Sequence, residues 1–335
     1  MHGKPGTRYK LSRGVKILEA GKAQSKKKMN TVDTPVAPLL PNEPRITDPT
    51  AQAALTHRFL TPALQELEAL FKHIRSLVDE ELRDAPSNYA QPYPIGRCLE
   101  ITLAAQEKLQ RLDAGKLPAP AAQGYAALRD FLQHGGSARQ VWGDLRGEFF
   151  QNAFLMGTLY IDVSNDTVTP SKPKIEILPF EQARFAPIRD YLHYAHMTRQ
   201  YWGAYVFANH ILPDLAPYFP LITAIPGGHV RLESDFHYML ALVHARRFEP
   251  SLEVLKAQPM ETQFFDAFRR AVLGVAEMTV ASTPAEGRAL ALEYCRQFQT
   301  EERRHGDKRE LAAIRRARAA NEKLAGLNVR RHGSV

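Results

Sequence analysis

Two cysteines, Cys98 and Cys295, are all that 335 residues contain, which excludes a disulfide scaffold and a zinc site built from thiolates alone. No stretch offers the eighteen or more uninterrupted apolar residues of a membrane-spanning helix. The most apolar region, 201–226, is broken by Asn209, His210, Pro213, Asp214, Pro217 and Pro220. A Gly-Lys-Ser/Thr phosphate loop, a Gly-x-Ser-x-Gly elbow and a His-Glu-x-x-His pair are all missing, so three common catalytic signatures are absent. No repeat recurs at a fixed period. The basic start lacks a following apolar h-region, which argues against a secretory signal, while a transit peptide stays open. These absences predict a protein of the reducing cytoplasm, without membrane association and without a cofactor.

The formal charge of +8 is unevenly spread. Residues 1–28 hold nine Lys/Arg and one acid, Glu19, and residues 301–335 hold ten basic and five acidic residues, leaving 29–300 at −5. Such basic ends can attract nucleic acid without sequence preference, an attraction that salt screens. They are equally consistent with solvated tails.

Residues 1–49 run from Gly, Lys and Ser into Pro35, Pro38, Pro41, Pro44 and Pro49. This composition predicts a flexible basic leader and a Pro-rich linker. Asp48-Pro49 makes a helix start, and Leu64, Leu67, Leu70, Phe71, Ile74, Leu77 and Val78 follow with helical spacing, divided at Pro62. A helix from Cys98 to about Leu112 and another over 122–134 come next. The pattern then turns to β: Val141, the 149–164 segment and the short strand 174–178. After Pro187 helices are expected over 188–212, 233–247, 249–257, 260–280 and 284–325. The expected domains are a core over 50–180, a helical region over 185–325 and a tail over 326–335.

The stretch Trp142–Val168 organises the chain. It reads as two strands folded back over Gly157 and ends in Asp162-Val163-Ser164-Asn165-Asp166. Upstream, Tyr93-Pro94-Ile95-Gly96-Arg97-Cys98 sets a cysteine at a helix start. There the unpaired amides and the helix dipole favour thiolate, which predicts a reactive thiol, alkylated faster than Cys295. A nucleophilic thiol also needs an imidazole to take its proton and a polar group to orient that imidazole.

Three features together resemble the transglutaminase-like branch of the papain-like cysteine-enzyme superfamily: Gly-x-Cys at 96–98, x-Ala-aromatic-Leu at 152–155, and Tyr-Ile-Asp-Val-Ser at 160–164. The resemblance spans about 85 residues, 93–178. It implies an α+β fold with a papain-like core, in which a cysteine-bearing helix packs on a small antiparallel sheet, followed here by a mostly helical C-terminal region. It also implies Cys98 as nucleophile and Asp162 as orienting group, with a protein or peptide amide as substrate. The histidine position, 152, holds Asn152, whose carboxamide cannot accept a proton near neutral pH.

Three readings stay open at this point. The site is degenerate and serves binding or scaffolding; or it is a rearranged cysteine hydrolase or acyltransferase in which His193 or His196 reaches Cys98; or Cys98 is an ordinary core residue. Register supplies a geometric test. A three-residue loop, 156–158, places Asn152 opposite Asp162, whereas a two-residue Gly157-Thr158 turn places Ala153 there and turns Asn152 to the other face. Asn165 and Asp166 read as turn formers.

Other constellations are weaker. Asp190, His193 and His196, and the pair His210 and Asp214, have spacings that can hold a metal, yet helical histidines among aromatics usually pack. The aromatics of 191–219 have core spacing, with a ligand wall or base-stacking surface as the alternative. The Arg-rich helix near the C-terminus reads as solvated, or as lying along nucleic acid or a partner. A helical adaptor or nucleic-acid-binding protein is therefore the rival to a transglutaminase-like protein.

Overall fold

The computed structural model describes residues 38–85, 92–233, 237–275, 277–301, 306–327 and 329. The basic leader over 1–28 and most of the tail over 326–335, residues 328 and 330–335, lie outside the described residues. The fold is mixed α/β with two antiparallel sheets.

Helix α1 (Pro49–Leu55) starts as its sequence requires, with the Asp48 carboxylate accepting from Ala51 N at 3.1 Å and proline at the first position. The chain narrows around Pro62 through a five-residue π turn and a 3-10 turn before α2 (Leu64–Leu82). Helices α3 (Cys98–Gln110) and α4 (Ala119–Gln133) complete an N-terminal helical layer. Gly124 lets α4 lie directly on α2, since a Cβ there would sit 2.2 Å from the Glu66 carbonyl oxygen.

These helices cover a five-stranded sheet formed by β1 (Ala138–Leu145), β2 (Phe149–Met156), β3 (Leu159–Asp162), β4 (Glu176–Pro179) and β5 (Phe185–Ala186), in the order β4-β3-β2-β1-β5. Strands alternate their side chains between faces. Phe154, Met156, Leu159 and Ile161 therefore join Leu67, Leu70, Phe71, Ile74 and Phe131 in the core beneath the helices. Ala153, Leu155 and Tyr160 face a smaller cluster with Val141, Ala183 and Phe185, next to the short helix α5 (Phe180–Ala183). The β2–β3 hairpin turns on two residues, with Met156 paired to Leu159. Gly157 takes φ 59°, as the first position of such a turn requires, and a Cβ would meet Thr56 Oγ1 at 2.1 Å.

The end of the Pro-rich linker is tied to this sheet rather than free. Trp142 N donates to Asn42 O at 2.8 Å, and Arg139 donates to the carbonyls of Glu43 and Arg45. The sequence hid this because the contact is made by backbone carbonyls, which carry no residue signature.

Beyond Pro187 the expected helix over 188–212 is shorter. α6 (Tyr191–Trp202) stops at Gly203, which adopts the left-handed conformation common just past a helix end. A second sheet follows, β6 (Tyr205–Ala208), β7 (Leu221–Ala224) and β8 (Val230–Leu232), in that order. Helices α7 (His237–Ala245), α8 (Glu249–Leu255), α9 (Thr262–Val272), α10 (Pro284–Glu301) and α11 (Gly306–Leu324) surround it. The single helix expected over 284–325 is thus two. Nor is α11 merely solvated: Ala313, Ala317, Ala320 and Leu324 form a buried stripe, and Arg316 Nη1 bonds Asp214 Oδ2 at 2.5 Å. The Asn321 amide accepts from Leu232 N at 2.7 Å and donates to Leu232 O at 3.0 Å, binding both groups of one β8 residue. Among the described residues, no helix is long and apolar enough to cross a membrane.

Arg75, 1% exposed, joins α2 to the turn after β3. Its Nε donates to Asp79 Oδ1 at 2.6 Å, Nη1 to Asp166 Oδ1 at 2.7 Å and to Val163 O at 2.8 Å, and Nη2 to Asp166 Oδ2 at 2.9 Å. Tyr93 Oη and Lys174 Nζ complete the shell of Asp79. Burial alone would disfavour the Arg75 charge, but the bonds to Asp166 and Asp79 outweigh it and hold the guanidinium protonated. Removing one partner of a buried pair strands the other charge, at a cost of about 3–5 kcal/mol. Arg75→Met is therefore expected to lower the unfolding free energy by that amount, read as a lower urea midpoint at an unchanged m-value, and Asp166→Leu added to it should recover part of the loss. A loss below about 1 kcal/mol would contradict this role for the network.

Candidate functional site

Cys98 is the first residue of α3, and the entry to that helix is fixed from two sides. Gly96 N donates to Thr167 O at 3.0 Å, and Tyr93 Oη donates to Asp79. The thiol therefore meets the sheet at β2. Asn152 Nδ2 donates to Cys98 Sγ at 3.6 Å, while Gln140 Nε2 donates to Asn152 Oδ1 at 3.1 Å. With its oxygen engaged by Gln140, the carboxamide presents its NH2 to sulfur, so the sulfur accepts. Thr102 Oγ1 of α3 donates to the Asn152 carbonyl at 3.3 Å, and Ser164 Oγ lies 3.4 Å from the same oxygen.

Asp162 lies elsewhere. The two-residue turn continues the ladder so that Ala153, not Asn152, falls opposite Asp162. Of the two turns left open by the sequence, the two-residue one is formed, so the odd-length loop that the convergence of Asp162 on Cys98 and Asn152 requires is not present, and that expected convergence is corrected. Asn152 shares the helix-covered face with Phe154, whereas Asp162 shares the opposite face with Tyr160. The Asp162 carboxylate is fully buried and takes four bonds: from Gln151 Nε2 at 2.6 Å, Ser164 N at 2.7 Å, Ser164 Oγ at 3.0 Å and Tyr160 Oη at 3.0 Å. Burial nevertheless raises its pKa above the ordinary carboxylate value, against those bonds. Ser164 Oγ touches both the Asp162 carboxylate and the Asn152 carbonyl. The two residues are linked through backbone, with their side chains on opposite sides of the sheet.

The histidines considered as replacement bases are placed differently again. His193 Nε2 lies 3.0 Å from Asp144 Oδ2, and Arg189 N donates to its Nδ1 at 3.2 Å. Because Nδ1 accepts a backbone N–H, the proton sits on Nε2 and is given to Asp144. Both ring nitrogens are thereby used, and neither serves Cys98. His196 is exposed on the outer side of α6. His210 Nε2 donates to Leu255 O at 3.1 Å, and Asp214 pairs with Arg316, so these two do not act together. Among the described residues, no three His, Cys, Asp or Glu side chains form a group able to hold a metal ion.

The aromatics of 191–219 divide in two. Tyr191, Tyr194, Tyr218 and Phe219 are buried core, while Tyr201, Trp202, Tyr205 and Phe207 are half-buried against it. Phe150 joins the sheet to this group, with Tyr194 and Trp202 ring centroids 5.3 and 5.2 Å away. Asp166, read from sequence as a turn former, does sit in a 3-10 turn, but its carboxylate is spent on Arg75. No local signal marks that pair, since 91 residues separate its members.

No family model matches the chain, and neither a curated protein nor a solved structure matches it.

The helix-start position does not make Cys98 acidic. Burial pushes its thiol from 9.0 up to about 11, against the Asn152 bond, and pushes the Cys295 thiol up to about 12. Both thiols should therefore alkylate slowly in the native state, contrary to the reactivity expected of Cys98 from its place in the sequence. A folded-state value above the unfolded one means that unfolded chain loses its proton first as pH rises. The protonated thiol thus stabilises the fold fully below pH 9, and that contribution fades towards pH 11. The unfolding free energy of wild-type protein minus that of Cys98→Ala should shrink by up to about 3 kcal/mol across this window. A constant difference would show a thiol no harder to ionise than a solvated one.

Proposed function

We propose that this chain is a catalytically silent member of the transglutaminase-like branch of the papain-like cysteine-enzyme superfamily, acting in binding or scaffolding. The reading is supported by a cysteine that opens a helix and faces the second strand of an antiparallel sheet at position 152. The observation that carries it is the Asn152 carboxamide donating to Cys98 Sγ. A carboxamide there can steady a sulfur but cannot take its proton, so the proton-transfer step of amide attack has no agent. Asp162, on the far face of the sheet, keeps the Ser164 turn in place rather than orienting a base.

In this reading the Cys98–Asn152–Gln140 chain binds helix to sheet. Function then belongs to the surface and not to the thiol. Two measurements decide the matter. Wild-type protein should release no ammonia from glutamine-containing peptides and transfer no acyl group to amines beyond a Cys98→Ala control. Asn152→His should raise the iodoacetamide rate at pH 7.5 by about a hundredfold, the gain expected when an adjacent imidazole returns a buried thiol to the titration range of an ordinary one. Turnover by wild-type protein that Cys98→Ala abolishes would overturn the proposal.

A further inference from the structure

We propose that a cleft of about 300 Å³ on the outer side of α2 binds a small organic monocarboxylate with an apolar body. Its walls are Lys72, Arg75, Ser76 and Asp79, on one face of α2 by their spacing, and Pro173, Lys174 and Ile175, which lead into β4. The cleft lies over the Arg75 network and is separate from Cys98.

Charge and polarity define the ligand. Arg75 is balanced from behind by Asp166, and Asp79 is balanced by Lys174. Lys72 remains, its side chain 63% exposed and paired, among the described residues, with Glu68, itself 44% exposed, a surface contact that competes weakly for an incoming anion. The cleft therefore keeps one positive charge beside a fixed ion-paired wall. A dianion such as phosphate would also meet the Asp79 carboxylate, so a single negative charge suits it better. Pro173, which is exposed, supplies apolar surface among the 173–175 lining residues, to which Ile175, 5% exposed, adds little. The volume is at the small end of ligand pockets, the scale of one aromatic ring and a carboxylate.

The full-length protein would be titrated at low salt with benzoate, acetate, benzyl alcohol and inorganic phosphate, followed by saturation-transfer NMR. Benzoate is expected to saturate at millimolar concentration, at least about fivefold tighter than acetate, which lacks the ring, and than benzyl alcohol, which lacks the charge. Lys72→Gln should weaken benzoate about fivefold. Lys116→Gln should leave it unchanged, since Lys116 is a lysine with 85% of its side chain exposed and lies outside the cleft. Lys72 is itself a surface residue, so its variant keeps the fold. Equal binding of acetate and benzoate would remove the apolar requirement, and phosphate binding tighter than benzoate would remove the monoanion. Insensitivity to Lys72→Gln, or no saturation, would overturn the site.

Discussion

The N-terminal half depends on a single positive charge held away from water. Arg75 reaches the two Asp166 oxygens, the Val163 carbonyl and Asp79 at once, and so fixes the turn after β3 against α2. That turn supplies Thr167 O to Gly96 and Ser164 to both Asp162 and Asn152. The position of Cys98 over β2 follows from these bonds. A guanidinium suits the task because its planar fork meets a carboxylate with two parallel bonds and keeps donors for a second group. Lysine at this position would offer a point charge and lose the fixed angle.

Two opposed effects meet at Cys98, and their sizes decide its character. A helix start favours an anion by about 0.3–1 kcal/mol, up to ~2 in partly buried geometry. A neutral donor such as the Asn152 amide contributes about 1 kcal/mol more. Taking a charge out of water costs several kcal/mol, even after relaxation. Desolvation wins, and the sulfur stays protonated. Helix position alone is thus a poor guide to thiol chemistry when the sheet closes over the sulfur.

The parts of this arrangement that are local in sequence were legible there. Asp48-Pro49 marked the start of α1, Pro62 the interruption before α2, and Gly157 the hairpin. The approach of helix start 98 to strand position 152 came from the family resemblance. Register was not legible, because a loop of two or three residues around Gly157 leaves the same residue types on each strand. The second sheet was hidden by its shortness: Tyr205–Ala208 continues the aromatic spacing of α6, and four residues cannot show a period of two against 3.6. Gly203 was the signal that the helix stopped there. The Arg75–Asp166 pair and the Asp144–His193 pair bring together residues 91 and 49 positions apart, and nothing in either neighbourhood names its partner.

The Asn321 side chain has a further consequence for the second sheet. β8 lies at a border of that sheet, where main-chain groups are open to pairing with another polypeptide. By taking up both the amide and the carbonyl of Leu232, a primary amide on a helix imitates one residue of an added strand. At that border the sheet ends in a helical side chain instead of a fourth strand, and the Leu232 main-chain groups are closed to pairing.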